Sequence, residues 1–135
     1  YANLEMQRFI AKHGLHRYKM NPKFPFNSIS LLRMLVSLGS DDQIKLIEML
    51  TPAIWEEGLD VSDATAVAMI LTKAGLDAEF LIAKAQDPAI KQAVINNTEK
   101  AVERGVFGIP TFFIGEEMFF GKERLEQIEE MLEKS

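Results

Sequence analysis

Cysteine is absent from this sequence of 135 residues, and histidine occurs only at His13 and His16. Without cysteine, the chain itself carries no disulfide, no thiol nucleophile and no thiolate ligand for a metal. The two histidines lie three positions apart with Gly14 between them, a pattern that indicates a surface pair near a helix end. We therefore expect no metal site, and thiol–disulfide exchange by these residues is excluded.

The sequence also lacks a basic cluster and a long apolar run. Its 15 basic and 20 acidic residues give a net charge of −5, which disfavours binding to the phosphate backbone of nucleic acids. No apolar stretch approaches the ~20 residues that cross a bilayer, and no signal-like segment opens the chain. We expect no nucleic-acid partner, no membrane association and a cytoplasmic location.

Apolar residues at helical spacing predict about six helices before Gly105. The first ends at Gly14, and the second, capped by Asn27 or Ser28, continues to Leu38. Because the second helix is apolar on many sides, it is predicted to be a core helix. Between these two helices, Asn21-Pro22 and Phe24-Pro25 predict a loop.

The third predicted helix, Gln43 to Glu57, follows Ser40-Asp41-Asp42 and ends before Gly58. Its expected buried stripe consists of Ile44, Ile47, Leu50 and Ile54. Pro52 is predicted to kink or restart this helix. The remaining helices begin at caps from Ser62 or Asp63, from Asp77 and from Asp87, which precedes Pro88 as the first helical residue.

The end of the chain has a different pattern. Pro110 cannot donate to a sheet ladder, so it must lie at a strand's edge or start. Residues 111–114 then predict a short buried strand, 115–117 a tight turn and 118–120 the antiparallel partner. After Gly121, apolar residues at helical spacing predict an amphipathic helix on one face of this hairpin.

Several motifs in this chain resemble those of a known family. They are the Gly108-Ile109-Pro110-Thr111 entry, the Phe120-Gly121-x-Glu123-Arg124-Leu125 helix start, Gln7-Arg8-Phe9, Phe24-Pro25-x-Asn27-Ser28 and Ile54-Trp55-Glu56-Glu57-Gly58. The first two resemble the C-terminal half of a thioredoxin-type domain. Taken together, the motifs are similar to those of the 2-hydroxychromene-2-carboxylate isomerases and the related kappa-class glutathione transferases.

The resemblance implies a mostly helical α/β protein in which a large all-α subdomain is inserted into a thioredoxin-like layer. Residues 1–105 would form the helical subdomain, and residues 106–135 the C-terminal strand–strand–helix unit. The ligand cleft would lie between them. Because the chain opens inside a helical pattern, we expect it to lack an N-terminal portion with the first strands of that layer.

The resemblance also implies glutathione as cofactor. Ile109 and Pro110 would be joined by a cis peptide bond, and the backbone of Ile109 would bind glutathione by strand addition. Lys122 and Glu123, at the start of the last helix, would bind its γ-glutamyl end. From the residues alone, the favoured interpretation is that Pro110 only keeps a strand edge from pairing wrongly, and acidic residues in a first helical turn are usually helix stabilisers.

Asn27 and Trp55 are the residues that the resemblance assigns to the substrate pocket. From the residues alone, Asn27 is a helix cap and Trp55 packs in the core; for Asn27 the two roles are compatible. No catalytic residue is expected within this chain, because the serine of the resembled enzymes would lie in the missing N-terminal segment. The 135 residues by themselves are therefore expected to show no turnover.

The resemblance implies a glutathione-dependent cis-trans isomerase of a conjugated 2-oxo acid in aromatic-compound catabolism. The thiolate of glutathione would add to the small-molecule substrate, permit rotation about the former double bond, and leave again. Two other enzymes remain open, a kappa-like glutathione transferase and a thioredoxin-like disulfide oxidoreductase with its CxxC in the missing part. A non-catalytic binding module is a further alternative. We also expect a homodimer, because open strand edges pair with other copies.

Overall fold

The computed structural model describes residues 2–134, which form seven α-helices and a two-stranded antiparallel sheet. The elements are α1 (Ala2–His13), α2 (Ile29–Val36), α3 (Ser40–Trp55), α4 (Ala64–Lys73), α5 (Ala78–Lys84), α6 (Pro88–Glu103), β1 (Thr111–Ile114), β2 (Glu117–Phe120) and α7 (Leu125–Lys134). The chain is mostly helical, and its strands come after the six first helices, as the sequence predicts. Among the described residues, no helix is both long and apolar enough to cross a membrane.

The chain divides into two compact units, one containing the residues up to Val94 and the other those from Ile95 onward. This division falls inside α6, whereas the sequence pattern placed a boundary after Gly105 at the end of that helix. The second half of α6 thus belongs to the same unit as the hairpin. The two units are described separately below.

The core of the first unit forms where α2, α3, α4 and α5 pack on one another. Its centre consists of Leu46, Leu71 and Leu81, each at most 1% exposed. Burial of such side chains contributes roughly 1.5–3 kcal/mol each to folding. Since each leucine comes from a different helix, this centre fixes three helices against one another.

The predicted buried stripe of α3 is only half correct. Leu50 and Ile54 are buried, but Ile44 and Ile47 are 54% and 49% exposed, and Leu46 is fully buried instead. Leu46 and Leu50 are four residues apart and lie on one face of the helix. Pro52 does not restart the helix, which continues to Trp55.

Acidic caps begin the later helices as predicted. The Asp63 carboxylate accepts hydrogen bonds from the N–H groups of the second and third helical residues of α4. The Asp77 carboxylate caps α5, and the Asp87 carboxylate accepts from Ala89 N–H at 2.9 Å in α6. These bonds satisfy N–H groups that have no partner within a helix. By contrast, α2 ends at Val36, before the predicted Leu38.

A buried asparagine organises the loop between α1 and α2. Asn21 is 2% exposed, and its side-chain amide donates to the carbonyl oxygens of Ile54 at 3.0 Å and Leu59 at 2.8 Å. Its side-chain oxygen accepts from Lys23 N–H at 2.8 Å. The loop predicted from Asn21-Pro22 is therefore attached to the end of α3 by hydrogen bonds that the sequence did not reveal.

In the second unit, β1 pairs with β2 in the register Thr111 with Phe120 and Ile114 with Glu117. The turn contains only two residues, Gly115 and Glu116. Glu117 therefore belongs to β2, whereas the sequence pattern placed it in the turn. The strand β1 is half-buried along its whole length. The helix α7 is amphipathic in sequence, but none of its described residues is buried.

Arg104, the residue that follows α6, contacts the hairpin at two points. Its guanidinium lies over the ring of Phe113, with 3.5 Å between the guanidinium carbon and the ring centroid. One terminal nitrogen donates to the carbonyl oxygen of Gly115 in the turn at 3.3 Å. A cation over an aromatic face is attracted by the ring quadrupole, so Arg104 joins the end of α6 to both β1 and the turn.

Candidate functional site

The segment before β1 presents its backbone to solvent. Ile109 is 89% exposed, and the Ile109-Pro110 peptide bond is cis, the geometry that the resemblance implies. Within the part of the chain that the structure describes, neither the N–H nor the C=O of Ile109 forms a hydrogen bond. A second cis bond, Phe24-Pro25, was not predicted from the sequence.

Two hydrogen bonds fix this segment beside the hairpin. The Thr111 hydroxyl donates to the carbonyl oxygen of Gly108 at 2.6 Å. This bond spans the two residues between them, Ile109 and Pro110. The N–H of Gly121 donates to the carbonyl oxygen of Pro110 at 2.9 Å. The structure therefore brings together two of the predicted cofactor segments, Ile109-Pro110 and the residues that follow Gly121.

The second of these segments carries an exposed ion pair. The Lys122 ammonium donates to a carboxylate oxygen of Glu123 at 2.6 Å. This bond is the main reason that the pKa of Glu123 lies below its ordinary value, and the residue's own backbone N–H contributes to the same shift. Glu123 is thus an anion at neutral pH, and opposite charges lie side by side at this position.

The predicted helix start differs in one detail. Lys122–Arg124 form a single 3₁₀ turn, and α7 begins at Leu125. The N–H of Arg124 donates to the carbonyl oxygen of Gly121 at 3.2 Å. The first N–H groups of α7 itself therefore lie beyond Lys122 and Glu123. Side chains, and not a helix terminus, provide the charges at this position.

An aromatic pair lies next to the same segment. The rings of Phe107 and Phe120 are 4.6 Å apart between centroids, and both side chains are largely exposed. A Cβ atom on Gly108 would be 2.8 Å from the Phe120 ring, closer than a carbon contact allows. The absence of a side chain at Gly108 thus lets the Phe120 ring lie against the backbone that leads to Ile109.

In the first unit, Asn27 is exposed, and its side-chain oxygen accepts from Ile29 N–H at 3.0 Å. It caps the start of α2 from one position before the cap residue Ser28, whose own side chain makes no capping bond. Asn27 also lines a cavity of about 360 Å³, together with Met34 and Val67 among others. The cap role predicted from the residues is confirmed.

Trp55 is half-buried at the end of α3, among aromatic rings. Its ring centroid lies 6.0 Å from that of Tyr18, 6.1 Å from that of Phe24 and 5.9 Å from that of Phe26. It lines a cavity of about 380 Å³ that differs from the cavity beside Asn27. The two residues that the resemblance assigned to one substrate pocket therefore line separate cavities in the first unit.

Sequence reasoning missed the other residues around Trp55. His16, Arg17 and Tyr18 line the same cavity, although His16 was interpreted only as half of a surface pair. A signal was available, because charged and aromatic residues alternate over His16–Tyr18 just before the two X-Pro motifs. Nothing in the sequence pattern, however, links this segment to the end of α3.

Curated proteins that resemble this chain include three named 2-hydroxychromene-2-carboxylate isomerase. That of Pseudomonas putida is 29% identical over 133 residues, which are 96% of this chain and 63% of the relative. That of Pseudomonas sp. (strain C18) is 30% identical and aligns with 96% of this chain and 60% of its own length. That of Sphingobium xenophagum is 30% identical over 73% of this chain and 50% of its own length. The chain thus spans between 50% and 63% of the length of these relatives.

A solved structure of a 2-hydroxychromene-2-carboxylate isomerase superimposes with a TM-score of 0.85 at 25% identity, covering 99% of this chain and 65% of that one. The sequence profile of the DSBA-like thioredoxin domain matches residues 1–133. These findings confirm the resemblance and the thioredoxin-like fold class that the motifs predicted. The chain belongs to the family of DSBA-like thioredoxin domains.

Proposed function

We propose that this chain is part of a glutathione-dependent isomerase that converts a conjugated 2-oxo acid in aromatic-compound catabolism. The observation that carries the proposal is the hydrogen bond from Gly121 N–H to the Pro110 carbonyl oxygen. It holds the unpaired backbone of Ile109 beside the Lys122–Glu123 ion pair. The relatives named 2-hydroxychromene-2-carboxylate isomerase support the reaction class.

The residues present fit a short extended peptide such as glutathione. The free N–H and C=O of Ile109 can pair with a peptide backbone in the manner of an added strand. The γ-glutamyl end of glutathione carries one ammonium and one carboxylate, which are complementary to Glu123 and Lys122. When bound, glutathione would supply the thiol that this cysteine-free chain lacks.

Glu123 is prepared for this role by its charge. Its pKa is lowered, chiefly by the bond from Lys122, so its carboxylate stays ionised to more acidic pH than that of an ordinary glutamate. The Lys122 ammonium donates to that carboxylate at 2.6 Å. We propose that this lysine turns its ammonium toward the carboxylate of the ligand when the ammonium of the ligand reaches Glu123.

The test measures binding of reduced glutathione to the purified chain by amide chemical shifts and by the rise in melting temperature. A ligand that binds only the native state must raise its stability. Glu123→Ala should weaken binding about 3- to 10-fold, the effect of removing a charge-assisted hydrogen bond at an exposed site. Glu126→Ala is the matched control, because Glu126 is also exposed and lies in the first turn of α7.

Equal affinity of the Glu123→Ala and Glu126→Ala variants would contradict the assignment of Glu123. No shift at the amides of Ile109 and Gly121 at saturating glutathione would contradict the whole binding mode. In the natural protein that contains this chain, conversion of 2-hydroxychromene-2-carboxylate should require glutathione and leave its concentration unchanged. Accumulation of a stable glutathione adduct would instead identify a transferase.

A homodimer and a cytoplasmic location belong to the same proposal. Within residues 2–134, the sheet contains only β1 and β2, so each strand has an edge without a neighbouring strand. Such edges pair readily with another chain. Sedimentation velocity over a range of concentrations tests the dimer, and a monomer at every concentration would contradict it.

A further inference from the structure

The cavity beside Trp55 has aromatic walls and charged groups. Its volume is about 380 Å³, and its lining includes Tyr18, Trp55, His16, Arg17 and Glu56. The rings of Tyr18 and Trp55 are stacked, with an angle of 23° between their planes. A volume of this size lies within the range of small-molecule sites, which are roughly 300–1,000 Å³. All of these residues belong to the first unit, and none of them is among the residues assigned to glutathione.

The hydrogen-bond donors of this cavity are largely uncommitted. The Arg17 side chain is 81% exposed, and its nearest carboxylate oxygen, on Glu56, lies 3.9 Å from its Nε atom, too far for a hydrogen bond. Within residues 2–134, the terminal nitrogens of Arg17, the indole N–H of Trp55 and the ring nitrogens of His16 form no hydrogen bonds. Among the described residues that line this cavity, Glu56 has the one carboxylate that could accept from these donors. Several donors are therefore available to a ligand.

We propose that this cavity binds the substrate as a planar aromatic carboxylate, and that Arg17 determines its specificity. An aromatic ring packs against Tyr18 and Trp55, while the two terminal nitrogens of Arg17 donate parallel hydrogen bonds to the carboxylate. The choice of a carboxylate rests on the proposed function, since the named substrate of the relatives is a carboxylate. The donors and rings are observations of this chain alone.

Glu56 should weaken binding of the same ligand, which provides a second variant for the test. Its side chain is 31% exposed and lines the cavity together with Arg17. A ligand carboxylate bound to Arg17 would lie near this second negative charge, which weakens binding by like-charge repulsion. Neutralising Arg17 and neutralising Glu56 should therefore change the affinity in opposite directions.

Trp55 is the only tryptophan of the chain, so its fluorescence reports on this cavity alone. The probes are trans-cinnamate, its neutral analogue cinnamamide, and hexanoate, which has a carboxylate but no ring. We expect saturable quenching by cinnamate, at least 10-fold weaker binding of cinnamamide, and no saturable change with hexanoate. Equal binding of cinnamate and cinnamamide would overturn the proposal, as would the absence of saturable quenching by cinnamate.

The variants test the charges one at a time. Arg17→Gln should weaken cinnamate binding about 10-fold, the effect of losing hydrogen bonds to a charged group. Glu56→Gln should strengthen it about 3-fold. Arg8→Gln removes an exposed arginine that pairs with Glu5 in α1 and does not line this cavity, so it should leave the affinity unchanged. Loss of binding in Arg8→Gln equal to that in Arg17→Gln would show a general charge effect and contradict the proposal.

Failure here is distinguishable from failure of the proposed function. Cinnamate binding is measured without glutathione and depends on residues of the first unit. Glutathione binding is measured at Ile109 and Glu123 in the second. If Arg17→Gln has no effect while Glu123→Ala weakens glutathione binding, only the inference about this cavity is wrong.

Discussion

Removal of the Asn21 side chain should cost this protein a large part of its stability. Asn21→Ala deletes both donors to the Ile54 and Leu59 carbonyl oxygens and the acceptor for Lys23 N–H. The position is 2% exposed. Water can therefore hydrogen-bond to the groups that have lost Asn21 only if the loop opens. The hydrogen bonds hold the loop against the end of α3, and the perturbation therefore tests a long-range connection in the chain.

The expected loss in the free energy of unfolding is about 3 kcal/mol, since each hydrogen bond contributes about 1 kcal/mol and three are lost. Asn27→Ala is the matched control. Asn27 is exposed and makes one bond, to Ile29 N–H, so its replacement should cost about 1 kcal/mol. Asn21→Asp should cost at least as much as Asn21→Ala at neutral pH, because it directs a buried negative charge at two carbonyl oxygens.

Urea unfolding followed by circular dichroism measures these differences. With a urea dependence of about 2 kcal/mol per molar, Asn21→Ala should lower the midpoint by roughly 1.5 M. The introduced carboxylate of Asn21→Asp has a raised folded-state pKa, so its penalty should diminish as the pH falls and the group is protonated. A loss for Asn21→Ala no larger than that for Asn27→Ala would refute the reasoning.

Two further predictions concern surface interactions. Arg104→Met should increase hydrogen exchange of the Ile114 amide, which lies opposite Glu117 beside the turn, about 2- to 10-fold, because the cation–π contact and the bond to the Gly115 carbonyl are lost; unchanged exchange would show that Arg104 does not hold the hairpin. Ser62→Ala should raise the pKa of Asp60, which the Ser62 hydroxyl lowers more than any other group, and a carboxyl titration by nuclear magnetic resonance measures the change. Because the folded-state pKa is lowered, the contribution of Asp60 is present above its unfolded pKa and is lost as the pH falls through the folded value; an unchanged pKa in the variant would contradict this role of the hydroxyl.

Much of the fold could be predicted because its signals are local. An aspartate before a helical pattern satisfies free N–H groups within three residues, and Asp63, Asp77 and Asp87 all act in this way. The hairpin and its entry through Pro110 were likewise predicted from a few neighbouring residues. Such features depend on the chemistry of consecutive residues and need no knowledge of distant partners.

The buried face of α3 could not be predicted because two apolar stripes compete on this helix. One contains Ile44 and Ile47, and the other contains Leu46 and Leu50. Periodicity is the same for both, and only packing against α4 and α2 selects Leu46. A helical pattern identifies an amphipathic helix, but it does not state which of two neighbouring faces meets the core.

The candidate sites show the same limit. The Ile109-Pro110 and Lys122-Glu123 segments were found because family motifs mark them. The association of Arg17 with Trp55 is carried by the loop that Asn21 attaches to the end of α3. This connection joins residues far apart in sequence, and no local pattern records it.

The contact between Gly108 and Phe120 restricts how this protein can evolve. A methyl group at position 108 would lie 2.8 Å from the phenyl ring, so the ring, which packs against Phe107 at 4.6 Å between centroids, would have to shift to accommodate it. A smaller side chain at position 120 would remove the clash. Substitutions at the two positions are therefore expected to be epistatic: alanine at position 108 should cost less stability once position 120 has lost its ring.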